Sequence, residues 1–72
     1  MTKLPRVSGK EVLRLLLKLG YYVRDQKGSH VHLRHPTKPP LTVPMRDELD
    51  RGTLKSIIKS ANLSVDKFVG LI

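Results

Sequence analysis

The chain has 72 residues, with 14 Lys plus Arg against 6 Asp plus Glu and no Cys, which gives a formal charge of +8 and an isoelectric point near 10.3. A chain this short buries only about 60% of its unfolded surface on folding, so residues 1–72 are expected to form a single domain around one core, and a large multidomain enzyme is excluded. Without cysteine there is no disulfide framework and no thiolate zinc site, and no apolar run approaches the roughly 20 residues of a membrane span, so the expectation is a soluble, cytoplasmic protein.

Residues 1–7 read as a lead-in. Ser8-Gly9-Lys10-Glu11 has the Ser-x-x-Glu form of a capping box and opens a helix expected to run to about Leu19. Val12, Leu15, Leu16 and Leu19 recur at helical spacing as its buried stripe, and Gly20 supplies a left-handed stop. Lys10, Arg14 and Lys18, four apart, form a basic ladder on the opposite face. Alternation then predicts strands over Tyr21–Gln26 and His30–His35, joined by a hairpin bend at Lys27-Gly28-Ser29. Pro36, Pro39 and Pro40 rule out regular structure across the next loop, and Leu41-Thr42-Val43 resumes the alternation until Pro44. Leu54, Ile57, Ile58 and Ala61 give a second helical stripe after Gly52-Thr53. Ser64 caps a last short helix with Val65, Phe68, Val69 and Ile72 turned inward.

The fold class is therefore α+β: an α-β-β-β-α order with a short C-terminal helix, the helices covering one face of a three-stranded antiparallel sheet. Period-two geometry sends Val31 and Leu33 toward the helices. It leaves His30, His32 and Arg34 on the open face, with Thr42, Tyr22 and Arg24 beside them.

Charge follows this layout. Residues 1–46 carry ten Lys/Arg and two acids (Glu11, Asp25), whereas residues 47–72 carry four of each sign. A cationic field confined to the first two thirds points to a polyanion, nucleic acid first, or to an acidic protein partner. Three aromatics, Tyr21, Tyr22 and Phe68, are too few for a base-stacking platform, which favours contacts to shape and phosphate.

His30, His32 and His35 are the only histidines. The first two share a face about 6.6 Å apart, a spacing suited either to flanking a phosphodiester or to meeting a metal. No third ligand shares that face, so no metal and no cofactor are expected. His35, beside Pro36, reads as a side chain that ties down the loop, and His32 as a strand residue open to either role. His30 follows Gly28-Ser29, where backbone can approach a phosphate, and a neutral imidazole is a competent base near pH 7. Cleaving RNA asks for a base at the 2′-hydroxyl, cations at the phosphate and in-line geometry, and His30 with Lys27, Arg24 and Arg34 could supply these. The same surface would serve a non-catalytic RNA-binding module.

Several stretches in order carry a family resemblance: Leu4-Pro5-Arg6-Val7-Ser8-Gly9-Lys10-Glu11-Val12, Gln26-Lys27-Gly28-Ser29-His30, Arg34-His35-Pro36, Val43-Pro44, Gly52-Thr53-Leu54-Lys55-Ser56-Ile57 and Ala61-Asn62-Leu63-Ser64. Together they resemble the HicA (YcfA-like) toxins over nearly the whole chain. The resemblance implies a double-stranded-RNA-binding-domain-like fold, a ribosome-independent mRNA interferase activity and a HicB-type antitoxin partner. It further implies a toxin that is monomeric when free and oligomeric with its antitoxin. It maps the catalytic histidine onto His30, with Gly28 and Ser29 as positioning residues. Members commonly have a histidine where this chain has Arg46.

Overall fold

The computed structural model describes residues 3–72, so the first two residues of the expected lead-in and domain lie outside the described range. Its elements are α1 (Gly9–Lys18), β1 (Tyr22–Lys27), β2 (His30–Arg34), β3 (Leu41–Pro44), α2 (Arg51–Ser60) and α3 (Val65–Leu71). The strands form one antiparallel sheet in the order β1-β2-β3, with β2 central. No helix among the described residues is long and apolar enough to cross a membrane.

Local chemistry accounts for each helix boundary. At α1 the capping box is complete: the Glu11 N–H donates to Ser8 Oγ (3.1 Å) and the Ser8 N–H donates back to Glu11 Oε1 (3.1 Å). Leu19 is the C-cap, and Gly20 follows at φ +96°, a conformation that favours glycine. α2 begins earlier than its apolar stripe suggests, because Asp50 is the N-cap and accepts hydrogen bonds from the Thr53 N–H (3.1 Å) and hydroxyl (2.7 Å). Those bonds to the charged form hold the Asp50 carboxyl below its ordinary range. Leu49 before this cap and Leu54 in the first turn both enter the core, the arrangement of a hydrophobic staple. Ser64 caps α3 through Lys67 N–H.

Val12, Leu15 and Leu16 of α1, Val31 and Leu33 of β2, Leu41 and Val43 of β3, Leu54, Ile57 and Ile58 of α2 and Phe68 of α3 make one buried cluster. Phe68, 1% exposed, is the bulkiest of the fully buried side chains, and burying such a ring contributes about 1.5–3 kcal/mol. The inward turn expected of the whole α3 stripe is only partly realised. Val65 and Val69 are half-buried, and Ile72 lies one residue past the helix and is 44% exposed.

The helices cover the sheet unevenly. Both α1 and α2 pack on β3, while β1 sits at the far edge. Val23, which pairs with the buried Leu33, is therefore still 47% exposed despite facing the helix side. A close approach at the other edge fixes α1: a Cβ on Gly9 would run into the Pro44 carbonyl oxygen, and the Gly9 N–H donates to the Arg46 carbonyl at 2.9 Å.

Candidate functional site

The three histidines occupy one stretch of chain but three different environments. His35, just past β2, has both ring nitrogens engaged. Its Nδ1 accepts the Thr37 N–H (3.1 Å), so the proton sits on Nε2, which donates to the Leu19 carbonyl at 3.0 Å. The ring also lies 4.8 Å from that of Tyr21, centroid to centroid, and against Gly20, where a Cβ would come within 3.1 Å of Nε2. This histidine clamps the loop after β2 onto the end of α1, the structural role expected of it. Tyr21, expected to start the first strand, instead precedes β1, and its hydroxyl donates to the Pro39 carbonyl (3.3 Å). Burial holds its phenol above the ordinary range.

His32, in the middle of β2, is half-buried on the open face. It shares a 3.0 Å hydrogen bond with the Thr42 hydroxyl through Nδ1, and its Nε2 stands 4.0 Å from Asp25 Oδ1. Alternation does not foresee that carboxylate there, since a strict period of two along β1 puts Tyr22 and Arg24 on the open face and Asp25 on the other. The pairing instead slips between Val23 and Asp25: Val23 opposes Leu33, Asp25 opposes His32, and Arg24 is the extra residue of a β-bulge. Arg24 keeps its expected face, since it lines a groove of about 260 Å³ with His32, Arg34, Pro40 and Thr42, and Asp25, paired with His32, lies on that face too. Asp25 Oδ1 is buried without a hydrogen-bond partner, while Oδ2 lies 3.8 Å from Arg24 Nε.

His30 begins β2, exposed on the same face, opposite Lys27 of β1 and Pro44 of β3. Among the described residues its side chain makes no hydrogen bond, unlike the other two histidines. The position beneath it is nonetheless firm. Gly28 adopts φ +58° to close a two-residue turn, and a Cβ there would meet nothing within 4 Å, so the tip is open to a large ligand. The Ser29 carbonyl accepts the Met45 N–H at 2.6 Å, and the Gln26 side-chain amide donates to the Gly28 carbonyl at 3.0 Å. Hairpin and β3 end are thus tied together under a free imidazole.

The expected site residues do not all converge. Lys27, Gly28, Ser29 and His30 form one group at the hairpin end. Arg24, His32 and Arg34 form a second around the groove, Arg34 leaving the backbone roughly 13 Å from His30 at strand rise. The ladder of α1 lies on the helix layer rather than the open face. Lys10 borders Met45 and Arg46 near the end of β3, while Arg14 and Lys18 line a shallow recess with Leu71 and Ile72. Arg46, in sequence only a departure from the family pattern, thereby becomes a cation near the hairpin end. A larger concavity, about 580 Å³, lies elsewhere, between Lys3 and the starts of α2 and α3, and no histidine lines it. No group of three or more His, Asp or Glu among the described residues could hold a metal ion.

Comparison with known proteins bears on the family and the fold. A family model described as the HicA toxin of bacterial toxin-antitoxin matches residues 9–63, from the first residue of α1 to just before the cap of α3. A solved chain from a toxin-antitoxin complex of Streptococcus pneumoniae superposes with a TM-score of 0.68 at 33% identity, covering 79% of this chain and 98% of that one. No curated protein sequence matches.

Proposed function

The chain belongs to the HicA toxin family, and from that premise we propose that it is the toxin of a toxin-antitoxin pair and acts as an RNA endonuclease with His30 as general base. The observation that supports this reading is the contrast among the histidines. The ring carried over as catalytic is the one left without a partner, on a rigid and exposed strand position opposite an ammonium group.

RNA brings its own nucleophile, so the protein has little covalent chemistry to do. Neutral His30 takes the proton of a ribose 2′-hydroxyl, and the 2′-oxygen attacks the adjacent phosphorus in line. The bond to the 5′-oxygen breaks, that oxygen leaves with a proton from water, and the hydroxide this leaves takes back the proton held by His30. The products are a 2′,3′-cyclic phosphate and a 5′-hydroxyl, and nothing in the step requires a metal ion. Lys27 stabilises the charge that develops on the phosphate, and the open turn at Gly28-Ser29 lets backbone approach it. Lys10, Arg14 and Lys18 supply long-range attraction from the helix side rather than contacts at the reacting bond.

The substrate is mRNA, cut free of the ribosome by the monomer in the cytoplasm, and the partner is a HicB-type antitoxin. An acidic partner laid across the open sheet face would cover His30 and would also stabilise a 72-residue chain by mass action. Incubating a purified transcript with the protein tests the reading. The expected result is fragments ending in 2′,3′-cyclic phosphate, produced by the wild type and not by His30→Ala. Intact RNA bound in a salt-sensitive way would replace the endonuclease by a non-catalytic RNA-binding module.

A further inference from the structure

The groove around Arg24, Arg34, His32 and Thr42 has no part in the cleavage step at His30, yet it is built for an anion. Arg34 pairs with no carboxylate among the described residues. Arg24 approaches Asp25 through Nε at 3.8 Å, which is beyond hydrogen-bond distance. The Thr42 hydroxyl and the His32 ring, already joined by a hydrogen bond, line the groove together with the two arginines and Pro40. The bulge is what assembles the groove. By inserting Arg24 as an extra residue, it sets Arg24 and Asp25 on the same face.

We propose that this groove is a second phosphate subsite, which grips a backbone phosphodiester of the same RNA strand separated along it from the one that is cut. The proposal rests on the endonuclease reading for the word "cut", but the binding it describes does not depend on cleavage. Two cationic centres along β2, Lys27 beside His30 and the two arginines, give the strand a track parallel to β2. The substrate then enters in one register, with a ribose and a phosphate presented to His30. Arginine forks suit this holding role, whereas the point charge of Lys27 suits charge that moves during reaction.

The test uses an oligoribonucleotide with 2′-O-methyl ribose throughout, which has no nucleophile and stays intact with the wild-type protein. Arg24→Gln and Arg34→Gln are each expected to weaken its binding about tenfold. The slope of log affinity against log salt should fall by about 0.7 for each variant. Unchanged affinity and slope in both arginine variants would overturn the subsite, and so would a loss of antitoxin binding with RNA affinity intact, because the groove would then belong to the protein partner. If either variant fails to fold, the wild type can be offered the same oligonucleotide with single phosphates replaced one at a time by neutral methylphosphonates. Two separated positions that weaken binding are expected, and a single sensitive position would overturn the proposal. Should His30→Ala still cleave ordinary RNA, the endonuclease assignment fails while the affinity measurements still decide the groove.

Discussion

The two ends of β2 carry the same side chain in opposite states. At the hairpin end His30 faces solvent with no hydrogen bond, over backbone pinned by the Ser29–Met45 bond. At the loop end His35 spends both ring nitrogens on Leu19 and Thr37 and packs on Tyr21. An imidazole whose nitrogens are committed to structure has no lone pair to offer a substrate, whereas a free ring on a firm strand has. The difference separates a residue that holds the fold from one that can act, although the two lie five positions apart in the chain.

Replacing the histidines one at a time tests this contrast most severely. His30→Ala should lower RNA cleavage by about 100-fold or more, the usual worth of a positioned general base, while the melting temperature stays that of the wild type. Equal cleavage by the variant would erase the distinction between the two ends. His35→Ala should do the reverse. It leaves the Leu19 carbonyl and the Thr37 N–H without their partner and costs about 1–3 kcal/mol by denaturant titration, with cleavage per folded molecule unchanged.

Gly9→Ala probes how the hairpin end is anchored. Its methyl would strike the Pro44 carbonyl, so β3 or α1 must shift, and the strand end that binds Ser29 shifts with it. The expected outcome is a loss of about 1–3 kcal/mol together with weaker cleavage, and full activity in a stable variant would show that the base does not depend on this packing.

The smallest effect concerns pH at the loop end. Burial raises the Tyr21 phenol above its ordinary value, so the fold favours the neutral form. The sign follows: this stability is fully present below about pH 10, where the unfolded phenol titrates, and is lost as pH rises through the higher folded value. Thermal melts should fall in that alkaline range for the wild type and fall less for Tyr21→Phe. That variant should itself cost about 0.5–1.5 kcal/mol at neutral pH through the lost bond to Pro39.

Much of the fold is legible in the residues themselves. Ser8 and Glu11 announce the start of α1, Gly20 its end and Gly28 the hairpin, because caps and tight turns are settled by a few neighbouring residues. Val31 and Leu33 against His30 and His32 sort the two faces of β2, because a strand between two neighbours alternates without freedom to slip. Tyr21 and Ile72 fall just outside the elements their patterns suggest, since helix and strand periodicity gives its weakest guidance at element ends.

Local chemistry along the chain thus determined the element order and the two faces of β2. Only the tertiary structure decided that Arg24 is a bulge, that Asp25 therefore meets His32, that the arginines stand apart from His30, and that Gly9 is needed beneath Pro44. The physical reason is one of range. A cap or turn is closed by residues three or four apart, but an extra residue in an edge strand is chosen by how two strands fit, and nothing in β1 alone records where its partner will be.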